Sequence, residues 1–405
     1  MKRLLACILL LSLLAVSASA LEFTDAASVR HADEISVLCD LGLIRGYEDG
    51  SFRGANNIRR SEAAKLAALI CEQTPRAASA VKFADVSPRH WAADYIAYCN
   101  EKGIIVGSNG RFRPEDFVTA REFAKMLLVC VGYDGAKYTG ALWAQAVDAD
   151  AESTGVYDGF LTDRGRMLSR DDACLLMYNA MQCYAVIGTA DGKPVYALDE
   201  LMNPVTYMEH RFGTVKFQGV LMANEYADLS RVGGALEKGM SKLAGHTEAA
   251  LPTAYTLLGR TLEFYTRRSG ADGAVRYTVI GNPSLSAGEN TCVATSADDY
   301  ILVLRYSGYA PRAGTEYYYN GDPTDESFLT RLGSDCTITG VDRDGDKQLD
   351  AVVVWDYITG TVQSTAPLRV TVGGVTRDAA ALTDAAYKTG DAVRCLITAG
   401  GCWLP

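Results

Sequence analysis

Histidine is scarce: His31, His90, His210 and His246 are the four in 405 residues. None stands beside a nucleophile motif. No Gly-x-Ser-x-Gly, His-Glu-x-x-His or phosphate-binding loop occurs, which removes the commonest hydrolase, metalloprotease and nucleotide-binding readings. The cysteines include no Cys-x-x-Cys pair and no histidine close enough to complete a zinc site. Basic charge is in deficit, with 39 Lys plus Arg against 49 Asp plus Glu and a net charge of −10. A general nucleic-acid binder needs a basic footprint for phosphates, so the balance argues against that class, though not against a local basic pocket. Beyond the first twenty residues no apolar run approaches the roughly 20 residues needed to cross a bilayer. What remains is a globular composition, 48% hydrophobic and 22% charged. Domains of roughly 100–200 residues make two or three of them the expectation.

Residues 1–20 read as a secretory signal peptide. Lys2 and Arg3 precede the apolar run Leu4 to Val16, and Ser17-Ala18-Ser19-Ala20 supplies the small residues of a cleavage site. Losing Lys2 and Arg3 takes the net charge from −10 to −12. Without Cys7 ten cysteines remain, an even number that permits disulfides in an exported chain. Most of the first six fall on apolar faces of predicted helices and read as buried thiols. Cys395 and Cys402, flanking Gly400-Gly401, are the best-placed bridge.

The chain repeats itself at a spacing of sixty. Phe23-Thr24-Asp25 recurs as Phe83-Ala84-Asp85, and Gly50-Ser51-Phe52-Arg53 as Gly110-Arg111-Phe112-Arg113. Ile58 to Glu62 and Lys65 recur as Val118 to Glu122 and Lys125. Each unit reads as helix, glycine-rich turn, helix. In the second, Trp91, Tyr95, Ile96 and Cys99 mark one buried face at three-to-four spacing. Gly103 ends that helix. Thr119 with Glu122 forms a capping box for the next, whose stripe is Phe123, Met126, Leu127 and Cys130. Arg59 stands at the cap of the first unit, so the box is missing there. A worn third copy follows: Trp143 begins a helix, Gly155 to Phe160 fills the turn, and Leu168-Ser169-Arg170-Asp171-Asp172 opens the last helix. Two-helix units of about 50 residues cannot bury their apolar faces alone, so the copies should pack together.

The turn Gly46-Tyr47-Glu48-Asp49-Gly50-Ser51-Phe52-Arg53-Gly54 and the helix starts Ile58-Arg59-Arg60-Ser61-Glu62 and Val118-Thr119-Ala120-Arg121-Glu122 carry a resemblance. With Phe112-Arg113-Pro114, they resemble S-layer homology domains. That signature is Phe-x-Asp, then Gly-Tyr-x-Asp-Gly-x-Phe-x-Pro, then Ile-Thr-Arg-Ala-Glu. The resemblance covers about residues 22 to 185. It implies three units packed as an intramolecular pseudo-trimer with grooves between them, holding an exported protein non-covalently on anionic, often pyruvylated, secondary cell-wall polysaccharide. A guanidinium can hold the carboxylate of such a sugar by two parallel hydrogen bonds. The signature arginine falls on Arg60 and Arg170, while the second unit has Ala120 there and Arg121 one place later. A one-residue shift turns a helical side chain by about 100°, so the second groove is expected to be impaired. Asp25 and Asp85 match the initial aspartates, as ligand contacts or as turn residues. Trp91 is either a sugar platform or core.

Beyond residue 186 strand patterns take over, at Val275 to Ile280, Tyr300 to Tyr306, Ala351 to Tyr357, Leu368 to Val372 and Val393 to Ile397. Leu198 to Met202 reads as a short helix, and Ser230 to Gly245 as a loop or brief helix. Asp342, Asp344, Asp346, Gln348 and Asp350 stand at alternate loop positions suited to calcium, although the loop lacks the glycine and terminal glutamate of an EF-hand. The alternative is a plain hairpin turn.

The fold class is therefore α+β multidomain: an N-terminal all-α repeat module followed by all-β barrel- or sandwich-like domains. The expected boundaries are 21–74, 82–134 and 135–185 for the three units and 186–405 for the β-rich region. The leading function is a non-catalytic surface protein anchored to wall polysaccharide. A surface-anchored glycan-active enzyme and an S-layer lattice component or adhesin are the alternatives.

Overall fold

The computed structural model describes residues 23–72, 75–77, 79–230, 234–246, 248–269, 276–286, 289–330, 332–383 and 385–405. The signal segment 1–20 and Val275 lie outside the described residues. The chain divides into two compact units. The first holds the described residues up to Val215 together with Tyr265–Asn282; the second holds Lys216–Phe264 and Pro283–Pro405.

Three helix pairs build most of the first unit: α1 (Ala32–Asp40) with α2 (Arg60–Cys71), α3 (Ala93–Glu101) with α4 (Ala120–Cys130), and α5 (Trp143–Ser153) with α6 (Arg170–Gln182). The start of α4 is fully boxed, since Thr119 Oγ1 accepts from Glu122 N at 3.2 Å and Glu122 accepts from Thr119 N at 3.0 Å. At α2 an arginine has no acceptor to offer, yet Glu122's counterpart Glu62 still accepts from Arg59 N at 2.7 Å. Half of the box therefore survives there. Gly103 ends α3 with φ +72°.

The pairs interlock in a cycle. Helix α2 packs on α3, α4 on α5, and α6 on α1, while α4 also touches α2 and α6. Three residues close the centre by main-chain hydrogen bonds. Val118 N donates to Ile58 O at 3.1 Å, Ile58 N to Leu168 O at 2.9 Å, and Leu168 N to Val118 O at 2.9 Å. The first amides of each following helix also find acceptors in a neighbouring turn: Arg60 N on Asp116 O, Ala120 N on Arg166 O, and Arg170 N on Asn56 O. Helix N-termini carry amides with no intrahelical partner, and here each pair satisfies those of another. Ile58, Val118, Phe52, Phe112, Phe123, Leu127 and Leu176 are buried around this ring.

Strand β1 (Val186–Ala190) begins where the helical period fades and pairs with β2 (Lys193–Tyr196). Leu198–Met202 is a turn rather than the expected helix. The Asp199 carboxylate accepts from Leu201 N and Asn203 N at 2.8 Å each, a local alternative to helical bonding. The helix comes later, as α7 (Tyr207–Phe212), started by a Thr206–Glu209 box. Tyr207 Oη and Arg211 Nε donate to Ile70 O and Cys71 O, satisfying the last carbonyls of α2.

The second half contains β3 (Thr214–Asn224), β4 (Met240–Leu243), β5 (Ala249–Ala250), β6 (Thr261–Ser269) and β7 (Arg276–Leu285), in sheet order β5-β4-β3-β6-β7. Next come β8 (Asn290–Ala294), α8 (Ala297–Ser307), β9 (Ala310–Tyr319), β10 (Asp322–Thr324), β11 (Cys336–Asp342) and β12 (Gln348–Asp356). Their sheet order is β10-β9-β12-β11-β8, with β9 and β12 parallel. Last, β13 (Ile358–Thr365), β14 (Leu368–Val372), β15 (Val375–Ala381), β16 (Ala392–Thr398) and β17 (Gly401–Leu404) close a five-stranded barrel. Tyr300 to Tyr306, expected as a strand, is helical. Ser296 Oγ accepts from Asp299 N at 3.1 Å, Gly308 stops the helix at φ +77°, and Tyr300, Val303 and Leu304 face the sheet at helical spacing. All ten described cysteines are free thiols, Cys395 and Cys402 included. Burial pushes the Cys395 thiol up to about 12.

Candidate functional site

At the N-terminal ends of α2, α4 and α5 lies a groove of about 420 Å³, lined by Arg60, Arg113, Phe117, Thr119, Arg121 and Trp143, with acidic Asp116 and Glu122 among them. Arg60 is held from three sides. Its Nε donates to Phe112 O at 2.9 Å, its Nη1 to Glu122 Oε1 at 2.7 Å, and its guanidinium lies 5.0 Å over the Phe112 ring. Glu122 is itself fixed by the Thr119 box, so the guanidinium is positioned by a helix cap. Nη2 carries no hydrogen bond among the described residues, and the side chain is 13% exposed. The result is a fixed, partly desolvated cationic edge at the groove.

Arg121 reaches the same groove but is committed elsewhere. Its Nε and Nη2 grip both oxygens of Asp148 at 2.8–3.0 Å, which ties α4 to α5. The face a carboxylate ligand would use is already filled. Lys125 stands near, its Nζ 6.0 Å from the Trp143 ring. Burial, and then the Arg60 cation, hold its ammonium below the ordinary lysine range. Glu122, Asp116 and Asp148 pair with Arg60, Arg113 and Arg121, and Lys125 adds a positive charge beyond these pairs.

Arg170 takes the place in α6 that Arg60 takes in α2. Its Nη2 donates to Arg45 O at 2.6 Å, and its guanidinium lies over Tyr47 and Phe52 at 5.1 and 4.9 Å. Its Nε is buried without a hydrogen-bond partner. Ala120, the second unit's counterpart, is 1% exposed and offers no charge. Asp25 and Asp85 act as turn clamps. Asp25 accepts from Phe52 N and Arg53 N at 2.7 and 2.8 Å, and Asp85 from Phe112 N and Arg113 N at 2.9 and 2.8 Å. Arg53 and Arg113 have φ of +56° and +59°, so these carboxylates hold a backbone that side-chain-bearing residues rarely adopt. The two amide bonds lower the Asp25 carboxyl; at Asp85 they outweigh the upward push of burial.

Trp91 lies two residues ahead of α3, off the buried stripe it was expected to join. It is 55% exposed and stacks on His90 at 5.7 Å. Its repeat counterpart, twelve residues before Gly155 as Trp91 is before Gly103, is Trp143. That half-buried tryptophan lines the groove; from sequence it is expected only as a helix start, and its repeat spacing is the signal that could have found it. Asp116, Phe117, Gly165 and Arg113 also line the groove without a sequence signal of their own, and the place of Arg113 depends on a turn held by Asp85.

In the second unit Asp342, Asp344 and Asp350 bring carboxylate oxygens within 4.8 Å of one another. These groups already have partners. Asp342 accepts from Gly345 N and Lys347 N at 2.7 and 3.1 Å, and Asp350 from Arg343 N at 2.7 Å. Arg312 pairs with Asp350 and lies 3.7 Å from Asp346. Asp346 accepts from Gln348 N at 2.7 Å. A protein guanidinium supplies positive charge at Asp350 and Asp346, so a calcium ion, which takes six to eight oxygens, would have to compete with Arg312 for them.

The sequence profile of the S-layer homology domain matches residues 22–64 and 82–124. Over 88 residues the chain is 39% identical to Cell surface glycoprotein 1 of Acetivibrio thermocellus, covering 21% of this chain and 4% of that protein. It is 36% identical over 86 residues to the Cellulosome-anchoring protein of the same organism, covering 20% and 19%. It is 34% identical over 104 residues to the Surface-layer 125 kDa protein of Lysinibacillus sphaericus, covering 25% and 9%. The chain spans less than a fifth of the length of each of these relatives. It is an S-layer homology domain protein, with two such domains in its first 124 residues, of the kind that cell-surface proteins carry.

Proposed function

We propose that this is an exported, non-catalytic surface protein whose helical unit holds it non-covalently on anionic secondary cell-wall polysaccharide. Residues 135–185 are then a third, worn S-layer homology unit, and the three helix pairs a pseudo-trimer; the cycle of hydrogen bonds through Ile58, Val118 and Leu168 supports this. The observation that carries the proposal is the open Nη2 edge of Arg60 in a groove shared with Trp143. A carboxylate on a sugar, such as a ketal-linked pyruvate, matches a guanidinium by charge-assisted hydrogen bonding, and the indole offers a flat apolar face to the ring. That one relative is named as anchoring a cellulosome agrees with the same role.

The test is co-sedimentation of the full mature chain with purified wall polysaccharide, before and after mild acid strips its ketal-linked pyruvate. Binding to the intact polymer that falls on stripping is the expected result. Equal binding to both would contradict carboxylate recognition, and absence of binding to either would contradict anchoring.

A further inference from the structure

The helix pairs of the first unit form a cycle, but the chain links only two of its three seams. Pair one runs on into pair two, and pair two into pair three; α6 meets α1 with no covalent connection. Opening there costs no strain in a linker, so this seam is held by non-covalent contacts alone. Its own polar contacts are local to the helix starts: Asp171 accepts from Arg30 N and His31 N at 2.9 and 3.3 Å, and Arg170 N and Asp171 N donate to Asn56 O and Gly54 O. Arg30 pairs with Asp172 at 2.9 Å and lies 3.5 Å from Asp171, but the arginine side chain is 56% exposed. The carboxylates are buried, and these contacts hold the first turn of α6 but not its C-terminal end, where Tyr178 and Gln182 lie.

Two strands from far along the chain lie across this seam. Strands β6 and β7 are hydrogen-bonded neighbours joined by six residues, 270–275, too few for a parallel crossover, so they run antiparallel. Tyr265 of β6 and Ile280 of β7 are buried in the same core as the helices. Tyr265 Oη donates to Gln182 Oε1 at 2.8 Å and sets its ring edge-on to Tyr178, both residues of α6. Gly281 N donates to Asp40 Oδ2 at 2.8 Å, at the end of α1. The backbone of Gly281, at φ +71°, lies so near α1 that a Cβ there would strike Val37 Cγ2 and stand 3.3 Å from Val37 N. One strand therefore grips α6 and its hydrogen-bonded neighbour grips α1.

We propose that the β6–β7 pair is a strap that holds α1 to α6 and so keeps the cycle of helix pairs closed. The helical unit is then incomplete without residues some eighty positions beyond its last repeat. This inference stands on packing alone and does not depend on what the groove binds.

Amide hydrogen exchange on the full chain tests it. Asp40→Ala removes one grip without adding bulk, and Gly281→Val forces β7 off α1. The expected result is faster exchange confined to α1 and α6, about three-fold for Asp40→Ala and at least ten-fold for Gly281→Val, with α4 and β11–β12 unchanged. Unchanged exchange in α1 and α6 in both variants would overturn the strap. Uniform acceleration across both units would also overturn it, because a local fastening should open only its own seam. If Gly281→Val does not fold, Asp40→Ala with Tyr265→Phe carries the same comparison.

Discussion

Two charged clusters stand out in the sequence, the helix-start arginines of the first unit and the aspartate loop of the second, and the structure treats them in opposite ways. Around Arg60 the partners are arranged so that one guanidinium edge stays free beside a groove. Around Asp342 and Asp350, backbone amides and Arg312 satisfy the charges from within. The number of charges does not separate a binding site from a well-made turn. What separates them is whether a polar edge remains for an outside molecule. The same distinction holds inside the groove, where Arg121 is filled by Asp148 and Arg60 is not.

The largest effect expected from breaking this contrast is at Arg60. Arg60→Ala should weaken wall binding about ten- to a hundred-fold, the loss of a charge-assisted hydrogen bond worth about 1.5–3 kcal/mol. Arg60→Lys should recover part of it, because an ammonium lacks the planar fork; equilibrium binding checks both. Arg312→Ala should lower the stability of the second unit by about 1–2 kcal/mol in chemical denaturation, since Asp350 loses a charged partner. That variant should also begin to gain thermal stability from calcium, whereas wild type should gain none. A wild-type protein stabilised by calcium would erase the contrast. The smallest effect is on pH. Asp172 pairs with His31 and raises that imidazole above its ordinary 6.5 against the downward push of burial, with Asp171 and Glu34 adding to the rise and Arg30 opposing it. The raised value means this contribution is complete below about pH 6.5 and fades as pH climbs through it. Burial alone would raise Asp172, but His31, Ser169 and Arg30 bring it down to about 2 from 3.8, so its share is present above pH 3.8 and lost as pH falls toward 2. Protection of the α1 and α6 amides, taken as exchange relative to the intrinsic rate at each pH, should therefore be greatest between these limits.

Local signals carried far in this sequence, and long-range ones did not. The Thr119 box, the Gly103 stop, the start of α6 after Ser169 and strand β14 are all written in adjacent residues. Tyr300–Tyr306 was misread because its β-branched and aromatic content outweighed the Ser296 cap and the Gly308 stop that bracket it. The groove needed partners that spacing cannot reveal: Arg60 meets Glu122 across 62 positions and Arg121 meets Asp148 across 27. The strap is further still from anything a period can show, with Gly281 bonded to Asp40 across 241 positions. Periodicity tells which face of a helix is buried, not which distant strand will cover it.

The most direct test of the account is a titration of the full mature chain with purified anionic wall polysaccharide at low and at high salt, run beside Arg60→Ala. An ionic, partly buried contact should weaken as salt rises. The account predicts that wild type binds tightly at low salt and loses affinity with added salt, and that Arg60→Ala binds weakly with little salt dependence left. Equal affinities for wild type and a correctly folded Arg60→Ala, with the same response to salt, would contradict it.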